Sequence, residues 1–327
     1  MASIVLGLGS SHTPMLNVTR EEWPRFSESD PTISQLRDKA GRVRSYDELV
    51  TIAEPGVREW LSESSFHGRY DRAQAGIVKL RQILARVSPD VIVIVGDDQH
   101  EILHEDNMPA FLVYWGKEIV SRPIARRLPW DWYNLANTRY FDAEPRCYPV
   151  AQDLALAIID RMIAAGFDIG ASAGLGQDLG ENHSIGFVRQ RLMPDRAVPI
   201  VPVLINTFFP PNQPLPRRCF EFGRVLRQAI ESWNEPRRVA IVASGGLSHF
   251  TVDEELDRNF LEMLRRRDVV ALTSLPLAKL NSGSSEMRNW IAVAGAVEAL
   301  ELDWSDYIPG YRTEAGTGTG IAFASWE

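Results

Sequence analysis

Cysteine is nearly absent: the 327-residue chain has two, Cys147 and Cys219. Two thiols this far apart build neither a disulfide framework nor a thiolate cage for zinc or an iron–sulfur cluster, so any metal site must draw on His, Asp and Glu. No window approaches the ~18 consecutive apolar residues of a membrane-spanning helix. The opening MASIVLGLGSSH has no basic region and too short an apolar stretch for a secretory signal. No membrane partner is expected, and the cytoplasm is the expected compartment. No run of Lys or Arg exceeds the three of Arg265–Arg267, and a formal net charge of −8 repels nucleic acid, which is not expected as a partner. Repeats and low-complexity tracts do not occur. With 45% hydrophobic and 24% charged residues the balance is that of a globular protein with a large core, long enough for an enzyme acting on a small molecule.

Helical and strand patterns alternate in what is present. Ile77, Leu80, Leu84 and Val87 stand at helical spacing within 72–87, Ser88-Pro89-Asp90 stops the helix, and the run Val91–Val95 reads as a buried strand. Ile200–Ile205 and Val239–Ala243 repeat that sense, each followed by polar or glycine-rich residues. The expected fold is α/β, three layers with a mixed central sheet between helices. Residues 17–80 interrupt the rhythm with polar sequence containing Trp and Pro, an N-terminal helical insertion or cap. No linker divides the chain, so 1–327 is expected to form a single domain carrying that insertion.

The six histidines are placed unevenly. His12 follows the first strand in SSHTPML, His100 follows Val91–Val95 in GDDQH, and His249 follows Val239–Ala243 in SGGLSH. Ligands of open α/β sheets bind beyond the carboxyl ends of strands, so three histidines there point to a metal or acid/base site. His67 falls in the cap and reads as a surface residue. His104, four residues beyond His100, would suit a helical ligand pair, but its context is a loop. A carboxylate is needed to complete a site. In TVDEELDRNF, Thr251 and Glu254 read as a capping box, which leaves Glu255 able to point back into the cleft; the pattern alone also fits a solvated first-turn acid.

The motifs GSSHTP, GDDQHEILHEDNMPAF, GENHSIGF, SGGLSHF with EELDRNFLEML, and SGSSEMRNWIAVAGA occur in the order of class III extradiol ring-cleavage dioxygenases. The chain resembles the protocatechuate 4,5-dioxygenase β-chain superfamily and, in its long single-chain layout, 3-O-methylgallate dioxygenases. That resemblance implies Fe(II) held by His12, His100 and Glu255, with His104 as the alternative second histidine because GDDQH has one residue more than the commoner spacing. It implies His183 as the catalytic acid/base, and His249 as a second active-site histidine close to the substrate or in the metal's outer shell.

Two neutral imidazoles and one carboxylate leave positions open on a ferrous ion for a catechol and dioxygen. An imidazole titrates near working pH and so suits phenolic proton transfer. The Ser282–Glu286 turn reads as the polar start of a helix with Ser284 or Ser285 as cap. The resemblance adds that this turn lines the substrate pocket. Ser282, Ser284, Asn206 and Thr207 are candidate donors to a substrate carboxylate, and Arg312 is a cationic one. The expected reaction is extradiol cleavage of a carboxylated catechol by dioxygen, in a homo-oligomer expected to be a dimer. A zinc hydrolase, or a metal-free binding protein on the same scaffold, is the rival. Tight Zn(II) with hydrolase activity and no oxygen uptake on catechols would favour the hydrolase, and the intact His12, His100, Glu255 and His183 argue against a metal-free binding protein.

Overall fold

The computed structural model describes all residues except 35, 124–127 and 177. The strands are β1 (Ser3–Ser10), β2 (Val91–Gly96), β3 (Phe111–Tyr114), β4 (Glu118–Ser121), β5 (Arg146–Pro149), β6 (Gly170–Ser172), β7 (Ile200–Ile205), β8 (Arg238–Ser244), β9 (His249–Thr251), β10 (Leu302–Tyr311) and β11 (Thr317–Trp326). The helices are α1 (Tyr46–Ile52), α2 (Glu63–Val87), α3 (Asp131–Thr138), α4 (Gln152–Ala164), α5 (His183–Phe187), α6 (Pro216–Ser232), α7 (Glu254–Arg266), α8 (Val269–Thr273) and α9 (Met287–Ala296). The main sheet runs β10-β11-β1-β8-β2-β7-β3-β6, with β9 on β11 and β4-β5 a separate ribbon. Its centre, β1-β8-β2-β7, is parallel, whereas β1 meets β11, and β7 meets β3, antiparallel. The mixed sheet expected from the sequence is the observed one.

Alternation along β2 explains the layers. Val91, Val93 and Val95 pack with residues of α4, α6, α8 and α9, while Ile92 and Ile94 pack with residues of α2, α3 and α5 on the other face. A strand buried on both faces must be apolar throughout, which accounts for the uninterrupted VIVIV run.

The insertion is smaller than 17–80. Helix α2 starts at Glu63 under the Ser62 cap and lays Phe66, Ala73, Ile77, Leu80 and Leu84 on the sheet, so its first half belongs to a layer rather than to the cap. Residues 14–61 are mainly 3-10 turns and α1. They are anchored by fully buried Trp23 and Phe26, the latter edge-on to Trp132 at 4.6 Å. A second correction concerns α7: its cap is Asp253, which accepts from Leu256 N–H, and Thr251 lies in β9. No helix among the described residues is long and apolar enough to cross a membrane.

Candidate active site

The parallel strands deliver their following loops to one end of the sheet, and the polar groups there meet at the floor of a cavity of about 570 Å³. His12 leaves the end of β1. Its Nδ1 lies 3.0 Å from Ser244 Oγ on β8, and that hydroxyl donates its hydrogen to Ser184 O at 2.8 Å. Ser244 therefore accepts the His12 Nδ1–H, and the Nε2 lone pair faces the cavity. His183, first residue of α5, has Nδ1 2.6 Å from Glu101 Oε2 and Nε2 3.3 Å from His12 Nε2. Helix α5 is itself capped by Asn182, whose Nδ2 also donates to Asp97 O at 2.7 Å, so His183 is fixed against the end of β2.

Glu286 closes the group. It ends the 3-10 turn Ser282–Glu286, with Oε2 3.2 Å from His12 Nε2 and accepting Gly246 N–H at 2.6 Å, and Oε1 3.0 Å from His249 Nε2. His249 Nδ1 donates to the Leu247 carbonyl, so its Nε2 also turns to Glu286. A Cβ on Gly283 would reach within 1.7 Å of the His249 ring; this turn passes so close to the imidazole that only glycine fits. The ligand-capable atoms of His12, Asp97 and His183 lie within 4.8 Å of one another, and the Asp97 carboxylate accepts from Asn289 Nδ2 and Gln99 Nε2.

The charges are strongly coupled. Burial and the neighbouring Glu286 carboxylate raise Asp97. Glu286 moves the opposite way: despite burial, His249 and His12 hold it well below the usual carboxylate range. Burial disfavours a charged His183, yet Glu101, Asp97 and Glu286 together lift it to about 10. His249 is raised likewise, Glu286 outweighing its burial.

These donors suit a divalent first-row cation. Neighbouring ligand atoms around such an ion with bonds of ~2.1 Å stand roughly 3 Å apart, close to the 3.2 Å from His12 Nε2 to Glu286. Imidazole lone pairs turned toward carboxylate oxygen, with the opposite ring nitrogens tied down, call for a cation or a proton between them.

Several residues singled out from the sequence lie elsewhere. Glu255 is exposed on α7 and does not line the cavity; Glu286 is the carboxylate beside His12. The cause is Asp253, whose capping starts α7 with Glu255 on its solvent side. His100 lines the cavity but not its floor: with φ of +61° its ring stacks on Phe209, centroids 3.7 Å apart, and Nε2 faces Glu105 at 3.5 Å. His104 lies beside it, ring centroids 5.5 Å apart. Ser284 Oγ accepts from His249 N–H and donates to His249 O, which makes it a support behind that histidine. Ser282 lies with it behind the ring, outside the cavity lining. Asn206 closes its own turn onto Phe209, and Thr207 is buried, its carbonyl taken by Arg288 and Gln213. Arg312 does reach the cavity wall, paired with buried Asp30 at 2.9 Å.

Asp97, Glu101, Glu286 and Tyr140, whose hydroxyl donates to the His12 carbonyl, were not singled out from the sequence. The first three were visible as acids inside the quoted motifs GDDQHE and SGSSE.

A family model described as the catalytic LigB subunit of aromatic ring-opening dioxygenase matches residues 53–321. The chain belongs to this LigB family. It is similar to the 2,3-dihydroxyphenylpropionate/2,3-dihydroxicinnamic acid 1,2-dioxygenase of Burkholderia vietnamiensis, 24% identical over 302 residues that cover 74% of this chain and 88% of that protein. Over 113 residues, 31% of this chain and 33% of that protein, it is 36% identical to the gallate dioxygenase of Pseudomonas putida. The counterpart of the first relative in Paraburkholderia phymatum is 26% identical over 198 residues, 58% of this chain and 55% of that protein. This LigB-family chain is an aromatic ring-cleaving dioxygenase of the class III extradiol type, acting with dioxygen on an aromatic substrate.

Proposed function

We propose that this dioxygenase uses Fe(II) to cleave a carboxylated catechol, with gallate, 3-O-methylgallate and protocatechuate as the substrate class. The observation that carries the reading is the convergence of His12, His183, His249 and Glu286 on the floor of a cavity with room for an aromatic acid, with the buried Asp97 carboxylate behind His12 and His183. His12, Asp97 and Glu286 would hold the ion, in place of the His12, His100 and Glu255 set expected from the motifs. When bound, ferrous iron would supply the redox-active centre at which a catecholate and dioxygen exchange electrons.

The protein's own groups do the rest. With a cation held by Asp97 and Glu286 to offset carboxylates that raise His183 and His249, His183, backed by Glu101, and His249, backed by the Leu247 carbonyl, could accept phenolic protons on binding and return one as the ring opens. Tyr133, Leu128 and Phe208 on the walls would sandwich the ring and keep water out. Support for a substrate carboxylate comes from Arg122 and Arg312 on the same walls, and from the carboxylate-bearing compounds in the relatives' names.

Anaerobic reconstitution with Fe(II), followed by oxygen-electrode assays on gallate, 3-O-methylgallate, protocatechuate, 2,3-dihydroxyphenylpropionate and catechol, tests the reading. Loss of a charge-assisted contact costs roughly 1.5–3 kcal/mol, so plain catechol should fall about 10- to 150-fold below protocatechuate in kcat/KM. Equal values would remove the carboxylate from the reading. Tight Zn(II) with hydrolysis, and no oxygen uptake on any catechol, would overturn the ferrous chemistry.

A further inference from the structure

A second cavity, of about 270 Å³, lies against the first. Its walls are Leu103, Leu112, Ile119, Ile185 and Leu204, with exposed Ala171 at its outer rim on β6. Leu179 lines both cavities. The wall toward the active site comes from the two segments that carry the proton machinery: Ile102 and Leu103 follow Glu101, and Ile185 lies two residues beyond His183.

Of the polar side chains lining this space, Tyr114 and Ser172 are already satisfied and Asn107 is exposed to solvent at the rim. Tyr114 donates its hydroxyl hydrogen to the Glu118 carbonyl at 2.8 Å, and Ser172 Oγ donates to the Gly174 carbonyl at 2.7 Å. A water inside would need two to four polar partners, and these walls leave few to offer. Such a space favours a small apolar occupant over water or a charged aromatic acid. The reaction needs one such molecule, dioxygen, at the same place as the aromatic ring.

We propose that this apolar side cavity is a dioxygen site that feeds the reaction centre past Leu179. The assignment rests on the ring-cleaving oxygenase activity. It predicts a route for the gas separate from the mouth by which the aromatic enters, so that narrowing the side cavity would slow dioxygen delivery and leave binding of the ring alone.

Two variants outside the reaction centre test this: Leu112→Phe, which fills the lumen, and Ala171→Phe, an exposed position whose larger side chain covers the rim with little risk to folding. With the Fe(II)-loaded enzyme, KM for dioxygen should rise about fivefold or more in each, while kcat at saturating oxygen and KM for the aromatic stay within about twofold. Xenon, an apolar probe that needs no turnover, should occupy the cavity in crystals of the parent protein and lose that position in Leu112→Phe. An unchanged KM for dioxygen in both folded variants, or no xenon in the parent, would reduce the cavity to a packing void and overturn the proposal. Xenon binding in a protein that consumes no oxygen with any catechol would instead show that the oxygenase reading fails, and the dioxygen assignment would fall with it.

Discussion

His183 and Glu101 stand 82 residues apart in sequence yet make a double contact: the Glu101 carboxylate lies 2.6 Å from the ring Nδ1 and accepts the His183 backbone N–H at 3.1 Å. One carboxylate thus sets both the position and the ring orientation of the imidazole, leaving Nε2 aimed at the cavity floor. Glu101 acts through His183, which makes it a positioning residue.

Glu101→Gln keeps an acceptor for the backbone but removes the charge facing the ring. Turnover should fall by about 10²-fold, the lower end of the range for general acid/base groups, with metal content unchanged. The pKa of His183, followed by NMR in the metal-free protein, should drop from its raised position. If turnover falls while that pKa stays put, Glu101 only anchors its loop.

His12→Ala, Asp97→Ala and Glu286→Ala should each lose the bound metal while circular dichroism reports an intact fold. Glu255→Ala should keep full metal and activity, since its side chain is in solvent. His183→Ala should retain metal and slow turnover by about 10²–10⁴-fold. Metal loss from the His183 variant would move it into the ligand set and displace Asp97.

Metal-free protein should lose stability as pH rises. The folded-state pKa of His183 is about 10 against an ordinary 6.5, so the folded chain retains a proton that the unfolded chain releases. This contribution is complete below pH ~6.5 and is lost through pH ~10. Urea melts of chelator-treated protein across that window should show a steeper decline than His183→Gln. Parallel curves would show that the proton is not held in the fold.

Arg312 and Asp30 join the N-terminal insertion to the β10–β11 hairpin. Arg312→Met leaves Asp30 buried with Thr317 as its remaining side-chain partner, and breaking such a pair typically costs roughly 3–5 kcal/mol. Adding Asp30→Asn should recover a large part of that loss. Denaturant melts of the two variants give the comparison, and additive losses would show that the residues are not coupled.

The parallel strands were legible because doubly buried strands must be apolar along their whole length, as in VIVIV and IVPVLI. His12, His183 and His249 were legible because each sits beside a strand end or in a motif kept in order. The carboxylates were not. Local pattern offered Glu254 and Glu255 at a helix start, and nothing there shows that Asp253 takes the cap and turns Glu255 outward. Glu286 looked like part of a serine turn, and its partner His12 lies near the opposite end of the sequence. The glycine at 283, forced by the approach of the turn to His249, was the local sign that this segment reaches the site.

His12 owes its place to β1, and β1 is sandwiched between β8 and β11, with contacts such as Ser11 to Gly320 bridging 309 positions along the chain. Pairings this distant are slow to form, because a very long loop must close before they repay its entropy. The catalytic floor is therefore among the last parts of the molecule to assemble: a nascent chain that has already made β1, β2 and β8 still lacks the strand that seals them. Until Thr317–Trp326 arrives, the flank of β1 is a bare hydrogen-bonding edge open to wrong partners, so refolding yield, more than equilibrium stability, should be what damage to β11 lowers first.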